Sequence, residues 1–399
     1  MKKIAGTTQG SHPVSSLALV GLESVATSEV QSCAEPTLTM LGHSPLLAAL
    51  CALALPPACS ARVAVVTGAT RGIGRGIAIE LGRLGHTVYA LGRSSRGRQT
   101  RDRPVAAGLD LTVESTAEAV TAAGGVGHGL ACDTSNDAEI RNSLLKISAE
   151  QGGKIDILVC SAYTTPPGDL RGEFWTQGME MWDACNNVGL RGVYATCLHA
   201  MPALLESSRS SGASDGPPPL VILVSSFGGK SYTFNVAYGV GKAAIDRLAS
   251  DMAFQLAKHR IGTISLYPGV VKTEGNLEME KQGTWAAASG GLDLMTGETP
   301  ALSGKAVCAL AGLGADVLLT KYSGKVAVVA ELAKELGFAE DDGSVPPSIR
   351  SLKYLAPNFV FPAIERESGK PVPDWMKSAV PDWLLPWSVF SGGPPPEPK

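Results

Sequence analysis

Short apolar runs alternate with amphipathic stretches from Arg62 to about residue 335. Seven runs have the length and composition of strands: Val63–Thr67, Thr87–Leu91, Gly129–Cys132, Ile155–Cys160, Leu220–Ser225, Thr263–Tyr267 and Lys325–Val329. Several are apolar at almost every position, as strands buried on both faces are. Strands that alternate with helices predict an α/β fold, a Rossmann-type, doubly wound, seven-stranded parallel sheet with helices on both faces, contained in residues 61–335.

The first 60 residues do not follow this alternation. They contain Lys2 and Lys3 but no arginine, and an apolar run from Pro45 to Pro56. That run is shorter than the roughly 20 residues that span a bilayer. Residues 1–60 are therefore either a disordered extension, a signal with an apolar core, or a transit peptide, which would direct the protein to an organelle such as a plastid.

The region 336–399 is rich in proline and tryptophan and shows no helical period, which predicts an irregular C-terminal extension. Its apolar side chains are candidates for peripheral membrane contact, for packing back on the domain, or for a second subunit. They are Trp375, Trp383, Leu384, Leu385 and Trp387. Residues 206–219 (ESSRSSGASDGPPP) predict a low-complexity surface loop.

Composition excludes some functions. The net charge of −3 gives no reason to expect nucleic-acid binding. Eight cysteines and six histidines lack metal-ligand spacing, so no metal is expected. The cysteines lie in apolar runs without a Cys-x-x-Cys pair, which indicates buried free thiols in a reducing compartment such as the cytoplasm.

The run VAVVTGATRGIGRGIAIELGRLG reads as a strand, a glycine turn and a helix. Gly68, Gly72 and Gly74 allow a tight turn and a close approach of the backbone to a pyrophosphate. The N-terminus of the following helix supplies free N–H groups and the positive end of its dipole. The sequence therefore predicts a dinucleotide site.

Charge indicates which dinucleotide binds. An NAD site usually has a carboxylate about 20 residues after the glycine turn. Between Glu80 and Asp102 there is none, whereas Arg93 closes the second strand and Arg71 lies in the glycine turn. Two arginines suit a 2′-phosphate, so NADP(H) is predicted. The further arginines at 96–103 are interpreted as a solvated loop.

Tyr238 and Lys242 form a candidate acid pair in the run AYGVGKAAIDRL. On a helix, residues i and i+4 share a face. An ammonium beside a phenol favours the phenolate and lowers the phenol pKa, which makes Tyr238 a plausible proton donor.

Together these motifs resemble the short-chain dehydrogenase/reductase family over residues 61–335. TGATRGIG matches its glycine motif, Cys132-Asp133 its adenine-contacting position, VSS at 224–226 the end of the serine-bearing strand, and YGVGK its Tyr-x-x-x-Lys. The resemblance implies catalysis by Ser226, Tyr238 and Lys242. It implies cofactor contacts from Gly68, Thr70, Arg71, Gly72, Ile73, Gly74, Arg93, Asp133, Tyr238, Lys242, Pro268, Gly269, Val271 and Thr273.

The sequence departs from the family pattern at two places. The family's Asn-Asn-Ala-Gly is here Cys160-Ser161-Ala162-Tyr163, so the sheet must be braced differently. Gly189 stands where the family usually has a catalytic asparagine, and Asn186, one turn earlier, is the candidate replacement, although a water chain without it is the alternative.

The catalytic serine also has two candidates. Strand-end alignment selects Ser226, the commoner spacing selects Ser225, and alternation along a strand allows only one of them to face the site. We predict that Ser226 is the catalytic serine.

The resemblance implies carbonyl reduction with hydride from NADPH, a proton from Tyr238 and a hydrogen bond from Ser226. Lys242 would also hold the cofactor ribose. A pocket with Tyr163, Phe227, Tyr232, Phe234 and Leu277 suits a lipophilic ketone, quinone or steroid-like carbonyl, with residues 275–300 as a mobile lid. The alternative function is a catalytically weakened NADP(H)-binding sensor or scaffold. A homodimer and a place at the endoplasmic-reticulum surface are further expectations from the resemblance.

Overall fold

The computed structural model describes residues 61–98, 108–165, 172–211 and 216–390. The predicted N-terminal extension, residues 1–60, lies outside the described residues, as do Arg101 and Arg103 of the basic loop.

Seven parallel strands form a single sheet, as the apolar runs predict. They are β1 (Val63–Thr67), β2 (Thr87–Gly92), β3 (Val126–Ala131), β4 (Ile157–Cys160), β5 (Leu220–Val224), β6 (Gly262–Tyr267) and β7 (Val326–Val328). Their order is β3-β2-β1-β4-β5-β6-β7, and every neighbouring pair is parallel. The order reverses between β1 and β4, and such a switch point opens a crevice at the carboxyl ends of the strands.

Helices cover both faces of this sheet. In chain order they are α1 (Gly72–Arg83), α2 (Val113–Ala122), α3 (Asp137–Glu150), α4 (Gly178–Asn186), α5 (Val193–Ser211), α6 (Val236–Leu256), α7 (Glu274–Lys281), α8 (Trp285–Ser289), α9 (Pro300–Ala311), α10 (Ala315–Val317), α11 (Val329–Leu336), α12 (Leu352–Leu355), α13 (Phe361–Ser368) and α14 (Asp374–Ser378). A π-helical turn, Asn187–Gly192, joins α4 to α5.

Two apolar cores lie on opposite faces of the sheet. One packs Ile77 of α1 and Leu302 of α9 against alternate strand residues such as Val66. The other packs Ile140 of α3 and Ile245 of α6 against the intervening residues of the strands. Strand side chains alternate between faces, so a strand buried on both sides must be apolar at successive positions.

The prediction of a loop over 206–219 is wrong at its start, because α5 continues to Ser211. Its final turn is polar yet helical. The hydroxyl of Ser211 donates a hydrogen bond to the carbonyl of Ser207 (2.9 Å). Ser207 is buried, and its own hydroxyl donates to the carboxylate of Asp156. Tertiary contact of this kind overrides weak helix propensity.

The C-terminal extension packs against the domain and carries the short helices α12 to α14, although its sequence has no helical period. The guanidinium of Arg350 makes two 2.7 Å hydrogen bonds to the carboxylate of Glu331 on α11 and a third to the carbonyl of Leu385. A bidentate Arg–carboxylate pair fixes orientation as well as distance, so it anchors the extension.

Among the described residues, no single helix has the length and apolarity to cross a membrane. One bent pair, Pro300–Ala311 with Ala315–Tyr322, passes that test by length and composition. Much of its apolar surface is buried in the core, as at Leu302, Leu310 and Leu318.

Candidate active site

A cavity of about 1250 Å³ opens at the carboxyl edge of the sheet. Residues that follow β1, β2, β4, β5 and β6 line it, together with parts of the 275–300 segment and of the C-terminal extension. This cavity coincides with the crevice expected from the strand order, which makes it the candidate binding site.

The turn after β1 requires glycine at Gly68. Its φ is +67°, and a Cβ there would lie 2.6 Å from the Cα of Ala162. The hydroxyl of Thr67 accepts hydrogen bonds from the N–H groups of Ser161 (3.3 Å) and Ala162 (3.4 Å). This threonine supplies the bracing that the altered Cys160-Ser161-Ala162-Tyr163 segment does not provide with asparagine side chains.

The glycine turn delivers the N-terminus of α1 to the cavity. Thr70, Arg71, Gly72, Ile73 and Gly74 all line it. The N–H of Gly72, whose φ is +54°, donates a 2.7 Å hydrogen bond to the carboxylate of Glu274 at the start of α7. Helix N-termini attract anions, and here a carboxylate links the start of α7 to the glycine turn.

The other predicted cofactor contacts divide into two groups. Arg93, Pro268, Gly269, Val271 and Thr273 line the cavity. Asp133 does not, although its neighbours Cys132 and Thr134 do. The carboxylate of Asp133 accepts hydrogen bonds from the backbone and hydroxyl of Ser135 (2.9 and 2.7 Å), so it stabilises a turn in this structure.

Ser226 and Tyr238 meet in the cavity wall. The phenol of Tyr238 donates a 2.6 Å hydrogen bond to the hydroxyl of Ser226, which also accepts from the N–H of Gly228. The hydroxyl of Ser225 is buried and donates to the carbonyl of Lys242 (3.1 Å). Of the two serines, Ser226 is the one that contacts Tyr238.

Burial sets the proton affinities of the candidate pair. It raises the pKa of Tyr238 to about 12, and the hydrogen bond to Ser226 offsets only part of this rise. It lowers the pKa of Lys242 to about 8, against the opposing effect of Asp246. The prediction that Lys242 lowers the pKa of the Tyr238 phenol is therefore wrong for the protein without cofactor. Burial removes water from both side chains, and this disfavours the phenolate of Tyr238 and the ammonium of Lys242.

Lys242 is held between backbone and aromatic rings. Its ammonium donates to the carbonyl of Val224 (3.1 Å) at the end of β5. The same nitrogen lies 4.7 Å from the ring centroid of Tyr163 and 5.8 Å from that of Tyr238. Both distances fall within the range of cation–π attraction.

Asn186 does not contact Lys242. Its amide nitrogen donates to the carbonyl of Ala237 (3.3 Å), and its buried amide oxygen has no hydrogen-bond partner among the described residues. A Cβ on Gly241 would lie 2.4 Å from that oxygen. The structure thus places Asn186 against the α6 backbone, one residue before each member of the Tyr238–Lys242 pair.

Aromatic and apolar residues form the rest of the cavity wall. Tyr163, Phe227, Tyr232 and Phe234 line it as predicted, but Leu277 does not and its side chain is 42% exposed. The 275–300 segment, predicted to be a lid, contributes residues including Trp285 and Leu292.

The C-terminal extension adds wall residues that sequence reasoning missed, namely Ile349, Tyr354, Leu355 and Phe359. Their spacing in the sequence carries no signal that links them to the site. Of the tail residues predicted to touch a membrane or pack back, Trp387 packs on Phe227 and Tyr267, whereas Trp375 and Trp383 are largely exposed.

Glu298 is a further residue near the site that sequence reasoning missed. It is 2% exposed, and its backbone pairs with both sides of the loop at Val271 through bonds to Val270 and Lys272. Burial raises the pKa of its carboxyl to about 8, although a hydrogen bond from the backbone of Gly269 opposes the rise. The carboxyl therefore supports the Pro268–Gly269 loop from behind.

The five described cysteines are free, and four of them, Cys132, Cys160, Cys185 and Cys197, are buried. Cys33, Cys51 and Cys59 lie outside the described residues.

Comparison with known proteins agrees with this architecture. The model of the short chain dehydrogenase family matches residues 62–283. The chain is 37% identical over 300 residues to mouse dehydrogenase/reductase SDR family member 1, covering 73% of this chain and 87% of the relative. The human protein of the same name is 36% identical over 337 residues, covering 81% and 93%. A solved structure of a putative dehydrogenase from Xanthomonas campestris superposes with a TM-score of 0.56 at 22% identity, covering 72% of this chain and 95% of that one.

The protein belongs to the short-chain dehydrogenase/reductase family and is an oxidoreductase of that family. Members of this family bind nicotinamide cofactors. The similarity to family member 1 extends beyond the family model and over most of the chain.

Proposed function

We propose that the protein is an NADPH-dependent carbonyl reductase acting on a lipophilic ketone, quinone or steroid-like carbonyl. The observation that carries the proposal is the 2.6 Å hydrogen bond from Tyr238 to Ser226 in the cavity wall, with the Lys242 ammonium one helical turn further along α6. A hydroxyl pair in this arrangement is suited to bind and protonate a carbonyl oxygen.

The residues present fit a nicotinamide dinucleotide. The glycine turn brings the backbone against Ala162 with no room for a Cβ at Gly68, and α1 presents its N-terminus to the same space. The glycine turn would hold the pyrophosphate, Lys242 the nearby ribose, and the Pro268–Thr273 loop the nicotinamide. When bound, the reduced nicotinamide supplies the hydride of the reaction.

Reduction adds a hydride to the carbonyl carbon and a proton to its oxygen, which yields an alcohol. Tyr238 is the proton donor, because burial keeps its phenol protonated at neutral pH. Ser226 stabilises the negative charge that develops on the oxygen. Lys242 is mostly protonated at pH 7, and its charge favours the phenolate that remains after the proton has been transferred.

The proposed substrate class follows from the wall of the cavity. Phe227, Phe234 and Tyr163 flank the hydroxyl pair, and Tyr354 and Phe359 of the extension line the same cavity. Aromatic side chains offer large apolar contact area, and two of these rings, Tyr163 and Phe234, pack edge-on against Tyr238. A lipophilic carbonyl matches this distribution.

The proposed preference for NADPH rests on Arg71 and Arg93. Both line the cavity at its glycine-turn end. Arg96 does not line the cavity and lies on the surface beside the carboxylates of Asp110 (2.9 Å) and Glu118 (2.7 Å). A guanidinium binds a phosphate through paired, charge-assisted hydrogen bonds, and a 2′-hydroxyl offers no comparable charge.

The test of the reaction is NADPH oxidation, followed at 340 nm, by the full chain with a panel of lipophilic ketones, quinones and steroid-like carbonyls. Tyr238→Phe should lower kcat by about 10²- to 10⁴-fold, the range of general acid catalysis, and keep its affinity for NADPH. Wild-type turnover retained in that variant would refute the mechanism. Tight NADPH binding without turnover of any carbonyl by the wild type would favour a sensor or scaffold instead.

Cofactor choice has its own matched pair of variants. Arg93→Ala should weaken NADPH binding by about 10- to 100-fold, the value of a charge-assisted hydrogen bond, and leave NADH binding nearly unchanged. Arg96→Ala removes an arginine three residues away that is paired with carboxylates, and it should affect neither cofactor. Equal losses of NADPH and NADH affinity in Arg93→Ala would contradict the assignment.

A further inference from the structure

Gly189 and Tyr163 share one space beside the candidate catalytic pair. Gly189 lies in the π-helical turn between α4 and α5, and Tyr163 follows β4. A Cβ on Gly189 would lie 2.7 Å from Cδ2 and 2.9 Å from Cε2 of the Tyr163 ring. Real Cβ atoms do not approach a ring so closely, so any side chain at position 189 would displace the ring from its place.

The same ring contacts both members of the pair. Its edge-to-face contact with Tyr238 has a centroid distance of 5.6 Å and an interplanar angle of 87°. The ammonium of Lys242 lies 4.7 Å from its centroid. The ring also packs on the buried cluster of Met181, Cys185 and Ala237, which fixes its position from behind.

The Tyr163 ring matters to Lys242 because only one carboxylate, that of Asp246, is among the titratable groups that face the ammonium in the described residues. The titratable groups that face it are Tyr238 and Asp246 on its own helix, Cys185 on α4 and Tyr163 after β4. Its ammonium has one backbone acceptor, the carbonyl of Val224. An aromatic face attracts a cation most strongly where water is excluded.

We propose that Tyr163 is a positioning residue for Lys242: its ring occupies the space left by the missing side chain of Gly189 and holds the ammonium beside Tyr238 and Ser226. The two departures from the family pattern, Tyr163 and Gly189, are then one change, because the ring is accommodated only where position 189 has no Cβ. This inference rests on the proposed function, in which Lys242 supports Tyr238 and holds the ribose.

The test separates the ring from its hydroxyl and from its bulk. Tyr163→Phe keeps the ring, and Tyr163→Leu keeps only apolar volume. Loss of a desolvated cation–π contact corresponds to about a 5- to 30-fold effect. We expect kcat to fall by that factor in Tyr163→Leu and to stay within about twofold of the wild type in Tyr163→Phe.

A second readout does not depend on turnover. NADPH affinity, measured by fluorescence titration from pH 6 to pH 9.5, should fall as Lys242 loses its proton, with a midpoint near its pKa of about 8 in the wild type. In Tyr163→Leu the cation loses a stabilising neighbour, so the midpoint should move down by about 0.7 to 1.5 pH units. Tyr194→Leu removes an exposed tyrosine on α5 that does not line the cavity and should leave the midpoint in place.

Gly189→Ala tests the shared space without altering Tyr163. Its Cβ should push the ring away and lower the midpoint in the same direction as Tyr163→Leu. A wild-type midpoint in both Tyr163→Leu and Gly189→Ala would overturn the inference, as would equal loss in Tyr163→Phe and Tyr163→Leu. If the midpoint shifts but the wild type reduces no carbonyl, the role of Tyr163 stands and the proposed function falls.

Discussion

Glu298→Gln provides a quantitative test of the packing behind the Pro268–Gly269 loop. The glutamate is 2% exposed, and one of its carboxyl oxygens is buried without a hydrogen-bond partner among the described residues. Burial raises its pKa from 4.5 to about 8, so the native protein holds this carboxyl protonated at neutral pH. Glutamine reproduces the neutral group and can still accept the N–H of Gly269.

The sign of the effect follows from proton linkage. With a raised pKa in the folded state, the wild type has the full stabilising contribution of this group below pH 4.5 and loses it as the pH rises towards 8. Each unit of pKa shift corresponds to about 1.4 kcal/mol, so the wild type loses about 2 to 3 kcal/mol between pH 5 and pH 7 from this group. Glu298→Gln has no such group to titrate and should not lose it.

The assay is urea unfolding of both proteins at pH 5, 6, 7 and 8, followed by tryptophan fluorescence. The difference in free energy of unfolding, variant minus wild type, should rise by about 2 to 3 kcal/mol from pH 5 to pH 7. Glu280→Gln, an exposed substitution on α7, serves as the control and should run parallel to the wild type. If the curves for Glu298→Gln and the wild type are also parallel, the carboxyl does not titrate as argued.

Three further substitutions probe the cavity. Phe234 has a φ of +62°, which costs an L-residue about 1–2 kcal/mol. Phe234→Gly should therefore keep or slightly raise the thermal midpoint of unfolding, while it raises KM for lipophilic carbonyls. A lower midpoint would show that the contact of the Phe234 ring with Tyr238 outweighs the backbone strain. Phe359→Ala should raise KM about fivefold, because the half-exposed Phe359 ring lines the cavity. The control Ile364→Ala, on the neighbouring α13, should not change KM. Equal KM values for Phe359→Ala and the wild type would exclude the extension from the substrate site. Gly68→Ala should weaken NADPH binding at least about tenfold in titrations, since its Cβ would meet the backbone of Ala162, and unchanged binding would refute the close approach.

The sheet was predictable because its inner strands are buried on both faces. Runs such as Val63–Thr67 and Leu220–Val224 must then be apolar at successive positions. This pattern can be recognised in the sequence without knowing which strands are neighbours in the sheet. The predicted ends of several other strands differ from the observed ends by one or two residues. β3 begins three residues before its predicted start, because Val126 to His128 lie on an edge strand with exposed positions and lack a continuous apolar pattern. The last turn of α5 was missed because its serines are polar in sequence but partnered in the fold.

The candidate site was only partly predictable. Motif residues that lie directly after strands share one edge by topology, so Ser226 and the glycine turn could be placed together in advance. The choice between Ser225 and Ser226 needed the observed contacts, since both follow the same strand. Glu274 and the wall residues of the extension reach the cavity, and Glu298 reaches the Pro268–Gly269 loop, through long-range packing. No spacing in the sequence marks such contacts.

The packing of Trp387 and Phe390 on Phe227 has a consequence for the newly made chain. Phe227 follows Ser226 directly, and the ring of Phe390 lies 4.9 Å from it. Phe390 is synthesised 62 residues after Val328, which ends the last strand of the sheet. At about 5–20 residues per second, translation of that interval takes about 3 to 12 s. During this time a nascent chain already contains every strand, the glycine turn and the Ser226–Tyr238 pair, but it does not yet contain the last ring that packs on Phe227 in the cavity wall.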